Sequence, residues 1–191
     1  MEVIRKLEDI RELGLPSLKP VVTIGSFDGV HLGHQHLLSV VKEKAAAIGG
    51  VSVVITFHPH PQQLLRPGAF DFFAINSVDE KIKLIEEAGI DYLIIIPFTW
   101  EFASLSFAQF IKDILVSIIG IKMLVMGPNN TFGKGRQGNA QTIQQICCEE
   151  NIIIVVVSEL KIEGKPVRSQ RIRQLIRQQN SKGVEELLGH D

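Results

Sequence analysis

Two histidines, His31 and His34, stand three residues apart just after the first long apolar run of the chain, with Gly33 between them. A helix that begins here would carry both imidazoles on one face, because residues i and i+3 are neighbours on a helix. The N-terminus of a helix offers unpaired N–H groups and the positive end of the helix dipole, so polyphosphate is the natural ligand there. Imidazole N–H groups can donate hydrogen bonds to phosphate oxygens as negative charge moves onto a leaving pyrophosphate. The pattern therefore predicts a site for phosphate-transfer chemistry.

The surrounding residues leave two other interpretations of this segment open. Short His-x-x-His patterns are often surface or capping histidines, and His31, His34 and His36 fit that description when taken alone. A zinc site is the second alternative, but further ligands of the right type are absent nearby. Gly25 and Gly29 leave room for a base and a ribose against the preceding strand. The segment has no G-x-G-x-x-G, which argues against a nicotinamide-dinucleotide site, and its place between a strand and a helix favours phosphate.

Short apolar, β-branched runs recur along the chain and predict the strands that position this loop. They do not alternate with polar residues, which is typical of parallel strands covered on both faces. Segments with helical periodicity lie between them, so the sequence predicts an α/β fold with a doubly wound, mostly parallel, five-stranded sheet. A single domain over residues 1–191 is predicted, with a helical C-terminal segment at about 168–191. The five runs are Val21–Ile24, Val51–Phe57, Tyr92–Ile96, Met123–Met126 and Ile152–Val157.

Ligands of such sheets bind beyond the carboxyl ends of the strands, and the loops at these ends hold the unusual residues. The segment 22–35 resembles the ATP-binding motif of the bacterial FAD synthetases, the FMN adenylyltransferase family of H-x-G-H nucleotidyltransferases. Thr56–Pro61 resembles the family's T-F-x-P-H-P loop, and Pro97–Ser106 resembles its P-F-T-x-E-F-A-x-L-S segment. Gly127–Gly138 is similar to its glycine-rich loop. Four separated motifs in the right order are more specific than any one alone.

The resemblance implies a Rossmann-like nucleotidyltransferase fold and a role for each motif. His31 and His34 are expected to stabilise the leaving pyrophosphate and Arg173 to hold the phosphates, which makes these three the expected catalytic residues. The expected ATP-binding residues are Gly25, Phe27, Asp28, Gly29, His31, Gly33, His34, Arg168, Ser169 and Arg173. The expected FMN-binding residues are Phe57, His58, Pro59, Pro61, Phe98, Asn129, Phe132 and Arg136. None of them is expected to ligate a metal.

Taken without the resemblance, the three loops after the histidine segment have simpler interpretations. Thr56–Pro61 is a turn whose backbone is preset by prolines, and the aromatic residues of Pro97–Ser106 are typical of core packing. Gly127–Gly138 is rich in turn formers and predicts a hairpin-like excursion. An amide such as Asn129 can both donate and accept hydrogen bonds, so it suits either a flavin edge or ATP.

Two segments depart from the family pattern. Residues 168–173 stand in place of the family's S-S-T-x-I-R, with Arg168 and Gln170 where the first serine and the threonine are expected. Arg168 could compensate with a charge-assisted contact to phosphate, whereas Arg171 fits a solvated basic helix start. Asn130 stands where the family has an aromatic residue.

The reaction implied by the resemblance is transfer of AMP from ATP to FMN, giving FAD and pyrophosphate. Mg²⁺ is expected to accompany ATP, with its octahedral coordination completed largely by water. One alternative is nucleotidyl transfer to another phosphate acceptor. The other is a catalytically weakened paralogue that binds flavin or adenine nucleotides, for which the replacements at Arg168 and Gln170 are the only sequence support.

Composition narrows the partners and the location. Twenty Lys and Arg residues nearly balance 21 Asp and Glu residues, a net charge of -1. This argues against a general nucleic-acid or membrane-surface binder, so the small molecules ATP and FMN are the expected partners. No apolar run approaches the ~20 residues that span a bilayer, and the N-terminus lacks the apolar region of a signal peptide. Adjacent Cys147 and Cys148 are poorly placed to pair, which indicates a reducing compartment and, by elimination, the cytoplasm.

Many members of the family continue into a second domain, a β-barrel that phosphorylates riboflavin. The resemblance places the junction to that barrel near residues 187–191. The residues after Val157 are too few for six or so strands of about 5–6 residues each. The 191-residue chain is therefore expected to require preformed FMN.

Overall fold

A parallel sheet lies at the centre of the computed structural model, which describes residues 1–65, 68 and 72–190. Within these residues the sheet has six strands in the order β1-β4-β3-β2-β5-β6, and each neighbouring pair is parallel. A separate antiparallel hairpin is formed by β7 and β8. The strands are β1 (Glu2–Ile4), β2 (Pro20–Ile24), β3 (Val51–His58), β4 (Tyr92–Pro97), β5 (Met123–Met126), β6 (Ile153–Val156), β7 (Lys161–Ile162) and β8 (Lys165–Pro166).

The five predicted runs form β2 to β6, with ends that differ by one residue at most. The sixth strand, β1, was not predicted, so the sheet has one strand more than expected. Its three residues are too few to show a strand pattern, and they become a strand because they pair with β4, from Glu2 opposite Tyr92 to Ile4 opposite Ile94. Glu163 and Gly164 form the turn of the β7–β8 hairpin.

Helices cover both faces of the sheet, as a doubly wound fold requires. Helix α2 buries Leu38 and Val41 against one face, and a π-helical segment, Phe110–Ile119, buries Ile111 and Leu115 against the other. Two 3₁₀ turns lie at Leu15–Leu18 and Lys134–Arg136. The α-helices are α1 (Asp9–Glu12), α2 (Leu32–Ala47), α3 (Pro61–Leu65), α4 (Val78–Glu87), α5 (Trp100–Ser104), α6 (Phe107–Gln109), α7 (Gln144–Glu149), α8 (Ser169–Arg177) and α9 (Ser181–Leu188).

The strand order creates a crevice at one edge of the sheet. From β2 the chain proceeds outward through β3 to β4, then crosses back to place β5 on the other side of β2. The loops that follow β2 and β5 therefore leave their strands in opposite directions, and the space between them is where open α/β sheets bind ligands.

Helices α8 and α9 lie in the C-terminal part of the described residues. Helices α8 and α9 pack on each other through a small apolar cluster that includes Val167, Ile172 and Leu187. This cluster lies beside the loop that follows β2, since Ile75 and Leu188 belong to it and both approach Gly29. Among the helices of the described residues, none combines the length and apolarity needed to cross a bilayer.

Candidate active site

The segment 25–34, called the histidine loop below, leads from β2 into helix α2. As the spacing of the histidines predicted, the helix begins at these residues. His31 is the N-cap residue, and its Nδ1 accepts a hydrogen bond from the backbone N–H of His34, 3.3 Å away. Accepting at Nδ1 places the proton of the neutral ring on Nε2, which leaves Nε2 as a donor. The two imidazole rings stack with their centroids 3.7 Å apart and an angle of 12° between their planes.

Burial keeps both imidazoles neutral at physiological pH. It lowers the pKa of His31 to about 4, with a smaller contribution from the charge of His190. Burial also lowers the pKa of His34 well below its ordinary value, and the neighbouring His31 and Lys81 act in the same direction. The Nδ1 atom of His34 is buried, and no described residue forms a hydrogen bond with it. The pair therefore presents neutral polar groups rather than fixed positive charge.

Acid should destabilise the folded protein through these two rings. The unfolded chain binds more protons than the folded one between the ordinary His pKa of 6.5 and the folded value of about 4 for His31. The contribution of the neutral, buried His31 to the free energy of unfolding is therefore fully present above pH 6.5, and it is lost as the pH falls toward 4. We expect the free energy of unfolding of the wild type to fall relative to that of His31→Asn, whose side chain still caps the helix, as urea titrations move from pH 7 to about pH 4. A difference that stayed constant with pH would contradict the assigned burial of His31.

Gly33 serves packing as well as access to ligand. A Cβ atom at this position would lie 3.1 Å from the carbonyl oxygen of Val167 and 3.2 Å from the ring of His31. The absence of a side chain lets the segment before α8 approach the histidine loop. Gly25 has a similar role, because a Cβ there would lie 3.2 Å from the ring of Phe27, which folds back into the core and is 1% exposed.

A buried ion pair ties the loop to the C-terminal helices. The guanidinium of Arg173 pairs with the carboxylate of Asp28, and both side chains are almost inaccessible to solvent. The other carboxylate oxygen of Asp28 accepts the backbone N–H of Ile75 at 3.0 Å, and its carbonyl oxygen accepts the hydroxyl of Ser169 at 2.9 Å. Burial raises the pKa of Asp28, although the hydrogen bond from Ile75 and the charge of Arg173 oppose that shift. Asp28 therefore joins the histidine loop, the segment at Ile75 and helix α8.

Arg173 is thus placed differently from the phosphate-facing position that the motif suggested. Its Nε donates to the carbonyl oxygen of Phe73 at 2.8 Å, and its guanidinium lies 4.6 Å from the ring centroid of Phe72. It is absent from the walls of the cavity that contains the histidines. A catalytic role for Arg173 stays a prediction, whereas its structural role is visible in these contacts.

One cavity of about 250 Å³ is lined by the histidine loop, by the loops that follow β5 and β6, and by the residues at the start of α8. It lies in the crevice between the loops after β2 and β5, as the strand order requires. Five of its lining residues belong to the predicted ATP set and one, Asn129, to the predicted FMN set. The lining residues are His31, Gly33, His34, Leu37, Gly127, Pro128, Asn129, Asn130, Val157, Ser158, Glu159, Leu160, Val167, Arg168 and Ser169.

Glu159 is the residue of this cavity that the sequence reasoning missed. Its carboxylate accepts hydrogen bonds from Asn129 Nδ2 at 2.8 Å and from Arg168 Nε at 3.0 Å. The hydrogen bond from Arg168 lowers the pKa of Glu159, so the group is ionised at neutral pH. The only local signal was its place after a strand, because Ser158 and Glu159 follow β6 at the same edge of the sheet.

The predicted flavin-side aromatic residues form a second cluster, which begins at the carboxyl ends of β3 and β4. The rings of Phe57 and Phe98 lie 5.5 Å apart, and each packs on Phe102 at 5.6 and 5.7 Å. Phe110 links this trio to Phe132, at 5.8 and 5.5 Å. The loop after β5 therefore reaches both regions, since its first residues line the cavity and Phe132 belongs to the aromatic cluster. The hairpin-like shape predicted for this loop is present, because Phe132 and Gly138 exchange two backbone hydrogen bonds of 3.0 Å.

The remaining predicted flavin residues lie on the edges of these two regions. His58 ends β3, Pro59 follows it, both are exposed, and Pro61 begins α3. Arg136 has a positive φ of 59° and bonds to Thr131 Oγ1 at 2.8 Å, which holds it within its own loop. None of these four lines the cavity that contains the histidines.

Lys81 is a second residue that sequence reasoning missed. It is 6% exposed on α4, where its backbone N–H donates to the carbonyl oxygen of Ser77 at 3.1 Å, and its ammonium forms no hydrogen bond or ion pair of normal length with the described residues. Its ammonium lowers the pKa of Asp28, His34 and His60, so it lies close to all three. Lys81 and Arg173 therefore place two basic side chains around one carboxylate, Asp28, next to the histidine loop.

The described residues contain no group of three or more His, Cys, Asp or Glu side chains placed to hold a metal ion. Any Mg²⁺ in this site would take most of its ligands from nucleotide phosphates and water, which is the usual way for this ion.

Known proteins resemble this chain over most of its length. A sequence model of the FAD synthetase family matches residues 17–171. The bifunctional riboflavin kinase/FMN adenylyltransferase of Buchnera aphidicola subsp. Schizaphis graminum is 32% identical over 190 residues, which is 99% of this chain and 60% of that protein. The enzyme of the same name from Escherichia coli K12 is 31% identical over 100% of this chain and 60% of its own length. The chain thus spans about 60% of the length of these relatives.

Solved structures also resemble the chain. A Streptococcus pneumoniae protein described as a macrolide-efflux protein is 30% identical, with a TM-score of 0.85 over 99% of this chain and 61% of that one. Pantoate–β-alanine ligase from Francisella tularensis is 16% identical, with a TM-score of 0.59 over 98% of this chain and 83% of that one, and this likeness shows the fold alone. The predicted doubly wound α/β fold is confirmed. Because the family match includes the histidine loop, the cavity and the start of α8, the chain belongs to the FAD synthetase family.

Proposed function

We propose that this protein transfers AMP from ATP to FMN, giving FAD and pyrophosphate. The observation that carries the proposal is the single cavity that brings His31 and His34 together with Arg168 and Ser169 at the N-terminus of α8. Two helix N-termini and two imidazoles around one space of about 250 Å³ suit a polyphosphate chain. The relatives named FMN adenylyltransferase and the FAD synthetase match support the same reaction.

In this reaction a phosphate oxygen of FMN attacks the α-phosphorus of ATP in line with the bond to the β-phosphate. The bond between the α-phosphorus and the bridging oxygen breaks, and pyrophosphate leaves with the electron pair. Transfer of this kind needs positioning and charge neutralisation more than a protein nucleophile. Mg²⁺ bound to the ATP phosphates would neutralise part of their charge.

Different parts of the site have different roles in the proposed reaction. In this proposal the Nε2–H of His31 and the N-terminal amides of α2 donate to oxygens that gain charge as pyrophosphate leaves, a role that the N-cap position of His31 supports. In the same proposal Arg168 and the backbone N–H groups at the start of α8 hold the outer phosphates, which the position of Arg168 and Ser169 on the cavity wall supports. The flavin ring is assigned to the aromatic cluster of Phe57, Phe98 and Phe132, which the loop after β5 connects to the cavity.

Incubation of the purified chain with FMN, ATP and Mg²⁺ tests the proposal directly. FAD and pyrophosphate should appear in equal amounts, measured by chromatography of the flavins and a coupled pyrophosphate assay. Replacing FMN with nicotinamide mononucleotide or phosphopantetheine should give no pyrophosphate. Binding of FMN and ATP without turnover would instead favour a nucleotide-binding paralogue and would refute the proposal.

Arg168 and Glu159 should affect the use of ATP in opposite directions. Arg168→Ala removes a cation from the cavity, so we expect the apparent KM for ATP to rise about two- to fivefold, a modest change because the pair is partly exposed. Glu159→Gln removes a carboxylate that repels phosphate and holds Arg168, so the same KM should fall. The KM for FMN should change little in either variant.

The matched control for these variants is Arg171→Ala. Arg171 lies on the same helix, where it donates to the carbonyl oxygens of Ile162 and Lys165, and it does not line the cavity. Steady-state kinetics at varied ATP should leave this variant at the wild-type value. A KM for ATP that is unchanged in Arg168→Ala would make Arg168 a surface residue.

A further inference from the structure

The backbone immediately before His31 adopts a conformation that its residues disfavour. Phe27 has a φ of +46° and Val30 a φ of +35°, with Gly29 at +82° between them. Glycine takes positive φ freely, but a β-branched residue such as Val30 does so rarely, because its Cβ collides with the neighbouring carbonyl. Such strain persists only where surrounding contacts fix the chain, and it is concentrated at functional sites.

The contacts that fix this backbone come from Gln35 and from the end of α9. The side-chain amide of Gln35 donates to the carbonyl oxygen of Val30 at 3.0 Å and to that of Leu188 at 2.9 Å. A ring nitrogen of His190 lies 2.9 Å from the carbonyl oxygen of Gly29. The carbonyl of Leu188 ends α9 and has no partner within its own helix, so Gln35 satisfies it while holding the histidine loop.

Close packing supports the same connection. Gly189, with a φ of +71°, lies so near Leu32 that a Cβ there would overlap its side chain. On the other side of the loop, a Cβ at Gly29 would lie 3.3 Å from the side chain of Leu188. The end of α9 therefore touches the histidine loop both before His31 and at the first residue of α2.

We infer that Gln35 is a positioning residue for the adenylyl transfer proposed above, through which the end of α9 holds the strained backbone that aims His31 and His34. Gln35 does not line the cavity, so it acts on the reaction through the histidines and not by touching nucleotide. This inference rests on the proposed function for its catalytic consequence, while the coupling between Gln35, α9 and the loop can be measured without activity.

Gln35→Met tests the inference, since methionine has a similar length and cannot donate. We expect kcat for FAD formation to fall about ten- to hundredfold, because small displacements of catalytic groups have effects of this size. The KM for ATP and the KM for FMN should stay near the wild type, whereas the midpoint of urea unfolding should fall modestly, because two part-buried carbonyl oxygens lose their donor. Gly189→Ala, which displaces the end of α9 from Leu32, should lower kcat in the same way.

Gln145→Met is the matched control, because Gln145 is an exposed glutamine that bonds to Glu149 on α7, away from the cavity. It should behave as the wild type. Amide hydrogen exchange supplies the second measurement: residues 27–34 should exchange faster in Gln35→Met than in the wild type, with the strands unchanged. If the wild type made no FAD, the proposed function would be wrong, and hydrogen exchange would still show whether Gln35 couples the end of α9 to the histidine loop. Wild-type kcat together with unchanged exchange in Gln35→Met would overturn the inference.

Discussion

Replacing His31 or His34 with alanine should lower the turnover of FMN and ATP to FAD by about 10²–10³-fold. Removal of one preorganised donor to charge that develops in the transition state has effects of this size. The two rings stack at 3.7 Å at the N-terminus of α2 and line the cavity with Ser169 and Arg168. The measurement is kcat for FAD formation, followed by chromatography at saturating ATP and FMN.

Two further variants separate catalysis from helix capping. Alanine at position 31 also removes the N-cap acceptor, which alone costs about 1 kcal/mol of stability. His31→Asn keeps an acceptor for the His34 amide but lacks the Nε2 donor, so it should remain folded and yet be as slow as His31→Ala. His36→Ala, on the same helix and outside the cavity, should keep wild-type turnover. Near-normal FAD synthesis in both His31→Ala and His34→Ala would remove the leaving-group role from this loop.

Breaking the buried pair of Asp28 and Arg173 should produce the largest loss of stability. Arg173→Met should lower the free energy of unfolding by about 3–5 kcal/mol, because it leaves the Asp28 carboxylate buried without its main partner. Asp28→Asn should also be destabilising, although its side-chain oxygen can still accept the backbone N–H of Ile75. Urea unfolding of the two single variants and the double variant gives the coupling energy between the residues. We expect the double variant to be less destabilised than the sum of the two.

The exposed pair of Lys83 and Glu87 is the matched control. These residues are four apart on α4, with their charged atoms 3.8 Å apart and most of both side chains exposed to solvent. Lys83→Met should change the free energy of unfolding by less than about 0.5 kcal/mol. A loss for Arg173→Met no larger than the loss for Lys83→Met would show that Arg173 is not a buried structural partner, and would return it to the phosphate-binding role suggested by the motif.

The sequence alone determined the parts of this protein that depend on local pattern. Continuous apolar runs predicted strands β2 to β6, because parallel strands covered by helices need no polar face. The carboxyl ends of parallel strands share one edge, so the loops that follow β2 and β5 had to meet. The spacing of His31 and His34 predicted their common helix start, because that geometry depends only on residues next to each other in the chain.

Tertiary structure alone decided the contacts between distant segments. Strand β1 exists because three residues pair with β4, and no pattern in so short a run could predict that. Lys81 reads as an exposed position on an amphipathic helix, yet packing buries it beside Asp28. Arg173 carries the same local signal whether it binds phosphate or a carboxylate. Its partner, Asp28, lies 145 residues away, and only the docking of α8 on the histidine loop in the fold brings that carboxylate to the guanidinium.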